Sequence, residues 1–111
     1  MISLNVYLDA KAGKSDQLEV AIRDGWMAEM ICQPGFMSAA LLKSLPDDQL
    51  DVLQAIKPKG EFELVAFWCS EEERAAWVAR PIHDEVFGPV IELSENVSYT
   101  VQSCQHSWDL S

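Results

Sequence analysis

His83 is the side chain in this sequence best suited to moving a proton. It stands in the run Pro81-Ile82-His83-Asp84-Glu85-Val86-Phe87, six residues after Trp77. If residues 81–87 are helical, it shares an arc with Ile82, Val86 and Phe87 and points inward. Two readings are open. It is either a core histidine hydrogen-bonded to backbone, or a general base and hydrogen-bond partner for a ligand, since imidazole ordinarily titrates near neutrality. Asn5 projects with Ser3 and Tyr7 from one face of a strand. It is either a satisfied polar group of the sheet or an amide that orients a ligand carbonyl. Glu29 falls inside an apolar helical arc, and either snorkels to water from near the helix end or faces a cavity as a partly desolvated carboxylate. Trp68 and Trp77 serve as core or as cavity wall, because their size alone earns tryptophan such positions.

A strand running into a broken helix must position most of them. Residues 62–69 are aromatic and branched apolar, with one charge near the edge, as a buried strand requires. Ser70 then supplies a helix N-cap, and Glu73 three residues later completes a capping box. Glu71, Glu72 and Glu73 lie where the positive end of the helix dipole favours carboxylates. Pro81 interrupts that helix and opens a new turn as its first residue. Gly88-Pro89 is expected to close it.

The rest of the chain supplies three more strands and a second long helix. Ile2, Leu4, Val6 and Leu8 alternate with Ser3, Asn5, Tyr7 and Asp9, the period-two pattern of a strand. After the turn Ala12-Gly13-Lys14, Ser15 or Asp16 caps a helix running to about Cys32. Its apolar arc is Leu18, Ala21, Ile22, Gly25, Trp26 and Met30. Pro34-Gly35 breaks the chain, and residues 36–44 read as the second strand. Residues 45–61 carry turn signals at both ends, with Leu50, Leu53 and Ile56 at helix-like spacing between them, although Leu50 and Val52 would also suit a strand extension. A long hairpin insertion bearing a short helical turn is expected there. Residues 97–104 alternate again as the fourth strand. Residues 105–111 form a tail whose Trp108 needs something to pack against. The order β-α-β-β-α-β is the ferredoxin-like α+β unit, and residues 1–111 are read as a single domain.

Bulk composition narrows the function. The chain of 111 residues carries 18 acidic and 8 basic side chains, a net charge of −10. That field repels phosphate backbones and anionic lipid, so neither nucleic acid nor a membrane is expected as a partner. No apolar run approaches the roughly 20 residues that span a bilayer, and the N-terminus lacks the basic region and cleavage site of a signal peptide. Cys32, Cys69 and Cys104 are odd in number and widely spaced. They read as reduced, buried small hydrophobes of a cytoplasmic protein. His83 and His106, the two histidines, join no metal-binding motif, and no nucleotide fingerprint is present, so no metal is expected.

Helices on one side of a four-stranded antiparallel sheet leave its other face free for a second copy. Here the sequence resembles the antibiotic biosynthesis monooxygenase family of dimeric α+β barrels. The matching residues are Ala12-Gly13-Lys14, Pro34-Gly35-Phe36, Trp68 with Ser70, Ala75 with Trp77, and Arg80-Pro81 with His83. The resemblance runs roughly from Leu4 to Tyr99 and implies a homodimer. It also implies a cofactor-independent monooxygenase, which deprotonates a quinol- or anthrone-like substrate so that the electron-rich anion reacts with dioxygen. His83 and Asn5 would be the catalytic polar groups. Trp68, Trp77, Tyr7 and Phe87, with Glu29, would bind the substrate. Leu64 stands where the anthrone oxygenases of the family place an asparagine. Haem degradation fits less well, because the residue ten after Trp77 is Phe87 rather than histidine. A signal-molecule isomerase is the other enzymatic alternative, and a non-catalytic, small-molecule-binding or stress-associated dimer is an alternative from a different class.

A barrel interior shared by two copies would have to be filled by branched apolar side chains, since unpaired polar atoms there cost about 1–3 kcal/mol each. The pocket is therefore expected in the cleft between the sheet and its own helices. His83 and Trp77 would form one wall, and the strand parity of Trp68 is left open.

Overall fold

Alternation along the first strand sets the architecture. In the computed structural model, which describes residues 1–109, β1 (Ile2–Ala10) lies between β3 (Phe62–Trp68) and β4 (Ser94–Ser103). β2 (Phe36–Lys43) pairs with the outer side of β3, so the order is β2-β3-β1-β4 and every pairing is antiparallel. This is the ferredoxin-like sheet expected from the element order. Leu4 stands opposite Ala66 and Val6 opposite Leu64, so the even-numbered residues of both central strands share one face. That face is buried: Leu8, Phe62, Leu64, Ala66 and Trp68 are fully enclosed.

The first helical stretch packs on this face in three segments: α1 (Ser15–Ala21), a π-helical turn (Ile22–Trp26) and α2 (Met27–Met30). The sequence explains the wide turn. Leu18, Ile22, Trp26 and Met30 recur every four residues, and all are buried. In a regular α-helix such a row drifts by about 40° per step. A looser turn reduces the drift and keeps Trp26 aimed at the sheet. No side chain caps α1. Lys14 holds the N-cap position, and the Ser15 hydroxyl instead donates to Glu61 Oε2 at 2.6 Å. Neither Ser15 nor Asp16 is the expected cap, because Glu61 also accepts from the Ala10 amide and draws the hydroxyl towards the sheet end.

The β2–β3 connection carries α3 (Asp47–Leu53), of which Leu50 is buried while Val52, Leu53 and Ile56 are exposed. α4 (Glu71–Val78) begins as its acidic cap suggests, with Ser70 Oγ accepting from the Glu73 amide at 3.2 Å. Pro81 opens α5 (Pro81–Leu93) at its first turn.

Three further expectations fail here. Gly88-Pro89 does not end the helix; α5 continues to Leu93. An internal proline costs about 3 kcal/mol, but Val90 one residue later is fully buried and Leu93 packs on the core, which offsets it. The cysteines are not buried: Cys32 and Cys69 lie just beyond element ends and are exposed, and Cys104 is half-buried. Trp108 finds no cover and is 88% exposed, its ring 6.1 Å from that of His106. The final two residues of the tail, Leu110 and Ser111, lie outside the described residues.

Candidate functional site

A cleft of about 270 Å³ opens on the helix side of the sheet. Leu4 and Val6 of β1 and Val97 and Tyr99 of β4 form its floor. Its roof comes from Trp26, from Arg74 and Val78 of α4, and from His83 and Phe87 of α5. Strand pairing explains the floor, since Tyr99 stands opposite Val6 and Val97 opposite Leu8, on the helix-facing side. The helices cover β1 and β3 fully but stop short of the edge strand. Tyr99 is 62% exposed, whereas Leu64 in the centre is fully enclosed.

The break before Pro81 lets α5 leave α4 at an angle and aim His83 inward. The imidazole lies edge-on to Trp77, with ring centres 5.1 Å apart at 83°, and 5.3 Å from Phe87. Phe87 lies in turn 4.7 Å from Trp26. These four rings form a continuous aromatic wall with one proton-transfer group in it. His83 is 8% exposed, and its Nδ1 is buried with no hydrogen-bond partner. The nearest acid, Asp84 Oδ1, is 3.6 Å away on a side chain 91% exposed. The indole Nε1 of Trp26 is likewise buried and unpartnered. Buried polar atoms in this condition cost about 1–3 kcal/mol each, a cost that a bound ligand can remove.

Arg74 is the charged group of the wall. Its Nε and Nη2 each donate to Glu71 at 2.6 Å. Those hydrogen bonds raise the guanidinium pKa further and hold the Glu71 carboxyl below the usual carboxylate range.

The seven residues singled out from the sequence do not converge. His83 and Phe87 line the cleft, and Trp77 backs His83. Trp68 proves to face the helices, but on the β2 side of the core, edge-on to Phe36 at 5.7 Å. Glu29 is half-buried in α2 and does not line the cleft. Asn5 and Tyr7 stand on the opposite face of the sheet from His83. Asn5 accepts from Ser3 Oγ and donates to Glu63 Oε2, both at 3.0 Å. Tyr7 OH lies 3.5 Å from Thr100 Oγ1. A single ligand cannot touch both His83 and Asn5, because odd and even positions of one strand point to opposite faces.

The open face is also more polar than expected. Ser3, Asn5, Tyr7 and Glu63 share it with Val65 and Phe67, and the polar atoms pair with one another along β1 and across to β3. Sequence reasoning missed Trp26 as a cleft residue, although its place in the apolar arc was evident, and missed Arg74, Val97 and Tyr99 altogether. The parity of residues 97–101 was readable, but their place beside Val6 depends on strand order.

Other depressions are less suited to chemistry. One of about 450 Å³ lies on the open sheet face under the tail, and one of about 570 Å³ lies among charged loop residues around Pro46 and Pro58. Among the described residues no cluster of three or more His, Cys, Asp or Glu could hold a metal ion, and no helix is long and apolar enough to cross a membrane.

No protein-family model matches the chain, and no curated protein matches it in sequence. Solved structures do match. The ferredoxin-like α+β fold of the chain is shared with proteins of which some are named as antibiotic biosynthesis monooxygenases. SnoaB, a cofactor-independent oxygenase from Streptomyces nogalater, superposes with a TM-score of 0.70 at 16% identity, over 96% of this chain and 93% of its own. A provisionally named antibiotic biosynthesis monooxygenase from Nitrosomonas europaea gives 0.74 at 19%, over 96% and 100%. A dimeric ferredoxin-like protein of unknown function from Thermobifida fusca gives 0.71 at 14%, over 93% and 90%. At such identities the shared property is the fold.

Proposed function

We propose that the cleft binds an electron-rich aromatic small molecule and that the protein is a cofactor-independent monooxygenase of quinol- or anthrone-like substrates. One observation carries the reading: a buried histidine with an unpartnered ring nitrogen sits in the wall of a largely apolar and aromatic cleft. His83 accepts the proton of the substrate hydroxyl or of its activated ring CH2. The anion then reacts with dioxygen: in an anthrone the CH2 becomes a carbonyl, in a quinol a ring C–H becomes C–OH as the ring is oxidised to the quinone, and in both the second oxygen atom leaves as water. Trp26, Phe87 and Val97 keep bulk water away from the anion. The fold that the chain shares with SnoaB, a cofactor-independent oxygenase, supports this class of chemistry.

Oxygen uptake by the purified protein with anthrones and quinols tests the reading. Turnover is expected, and His83→Ala should slow it by roughly 10²–10⁴-fold, the usual worth of a positioned general base. Uptake unaffected by that substitution would remove His83 from the mechanism. A second reading, a dimer that binds an aromatic molecule without chemistry, is favoured by the absence, among the described residues, of a buried carboxylate to orient the imidazole, since Asp84 is solvent-exposed. Native mass spectrometry would then show a retained ligand with no turnover.

The same proposal extends to assembly and setting. The open sheet face pairs two copies into a homodimer, as the dimeric Thermobifida fusca neighbour suggests. A monomer in sedimentation at micromolar concentration would overturn this. We place the protein in the cytoplasm, where unpaired cysteines stay reduced.

A further inference from the structure

The one charged side chain in the cleft wall has no task in that chemistry. We propose that Arg74 selects the ligand, so that the cleft takes an aromatic molecule of one to three fused rings bearing an anionic oxygen at the rim; this rests on the reading of the cleft as the binding site.

The chain has 18 acidic side chains against 8 basic, yet no carboxylate lines this cleft. Its charge is a single guanidinium whose side chain is only 14% exposed. The counter-ion, Glu71, lies outside the cleft on a side chain 50% exposed. Glu71 engages Nε and Nη2. A guanidinium has five N–H groups in a rigid fork, so both hydrogens of Nη1 and one of Nη2 are left over for another acceptor. The paired carboxylate also fixes the long side chain in place, which lowers the entropy lost when a ligand is gripped. Tyr99 lines the same cleft from the edge strand and adds a hydroxyl to its wall.

Size sets the ring count. About 270 Å³ falls just under the roughly 300–1,000 Å³ of pockets that enclose drug-sized molecules. Rings would lie against Leu4, Val6 and Trp26, with the anionic oxygen towards Arg74.

The test uses the full chain with 2-naphthoate and its neutral analogue 2-naphthamide, read by quenching of tryptophan fluorescence. Trp26→Phe serves as the control that locates the quenching in the cleft. Naphthoate should bind more tightly than naphthamide by roughly 10- to 100-fold, the worth of a hydrogen bond to a charged group. Arg74→Gln should bring naphthoate down to the naphthamide level, and Arg74→Lys should keep part of the preference. Equal binding of the two probes by the wild type, or a preference that survives in either variant undiminished, would overturn the proposal. Equal binding with quenching that depends on Trp26 leaves the cleft as a ligand site and removes only the role of Arg74. Failure of both probes to bind counts against the two readings together.

Discussion

On its helix-covered side the sheet presents Leu4, Val6, Leu64 and Trp68, and on its other side Ser3, Asn5, Tyr7 and Glu63. Both sets come from the same two central strands. The first set is enclosed by helices, so its polar content is nearly nil and its few polar neighbours, His83 and three indoles, are left unpartnered. The second set satisfies itself: the Ser3 hydroxyl donates to Asn5 along β1, and the Asn5 amide donates across to Glu63 on β3. A paired polar network tolerates being covered, whereas an orphaned imidazole invites a ligand. The difference teaches where to look for chemistry. The polar face is richer in functional groups, but the apolar face holds the ones with unmet hydrogen-bonding capacity.

Removing the wall behind His83 tests the helix side most severely. Trp77 is 1% exposed and packs edge-on to the imidazole. Trp77→Ala should cost about 3–5 kcal/mol in denaturant unfolding, as large aromatic truncations do. The loss should not depend on protein concentration. A loss below about 1 kcal/mol would mean that the cleft wall is not part of the core.

A charge on the other face should act through assembly instead. Phe67 stands on the open side opposite Ser3. Phe67→Asp should leave the helix-side core intact but shift sedimentation from dimer to monomer, since each enclosed Phe contributes about 1.5–3 kcal/mol of burial. A dimer that survives the substitution would place the interface elsewhere.

The smallest effect concerns the rim. Hydrogen bonds from Arg74 hold the Glu71 carboxyl below its ordinary value. A lowered carboxylate pKa means that the folded state binds fewer protons. The stabilisation is therefore complete above the ordinary carboxylate range and is lost as pH falls through the lowered value. Because Glu71 is half exposed, the effect should be only about 0.2–1 kcal/mol. Unfolding curves of wild type and Glu71→Gln should differ by that amount at pH 7 and converge in acid. A gap that widens in acid would contradict the pairing.

Much of this fold was legible without coordinates. Alternation at Ile2, Leu4, Val6 and Leu8 announced a half-buried strand, and Ser70 with Glu73 announced a helix start that the structure contains. The misreadings have one common source. Gly88-Pro89 carries a strong local stop signal, but burial of Val90 against the sheet outweighs it. Trp108 by its type needed something to pack against, and its place beyond β4 leaves it in solvent.

By itself the sequence determined which residues share a face, because side-chain direction along a strand or helix follows from local backbone geometry. It placed Asn5 with Ser3 and Tyr7, and His83 with Phe87. Only the tertiary structure decided which faces meet. The strand order put Tyr99 of β4 beside Val6, the break at Pro81 brought His83 onto Trp77, and α4 carried Arg74 to the same rim. Those neighbours are distant in sequence, and their meeting depends on the burial of the whole apolar surface, which no short stretch encodes.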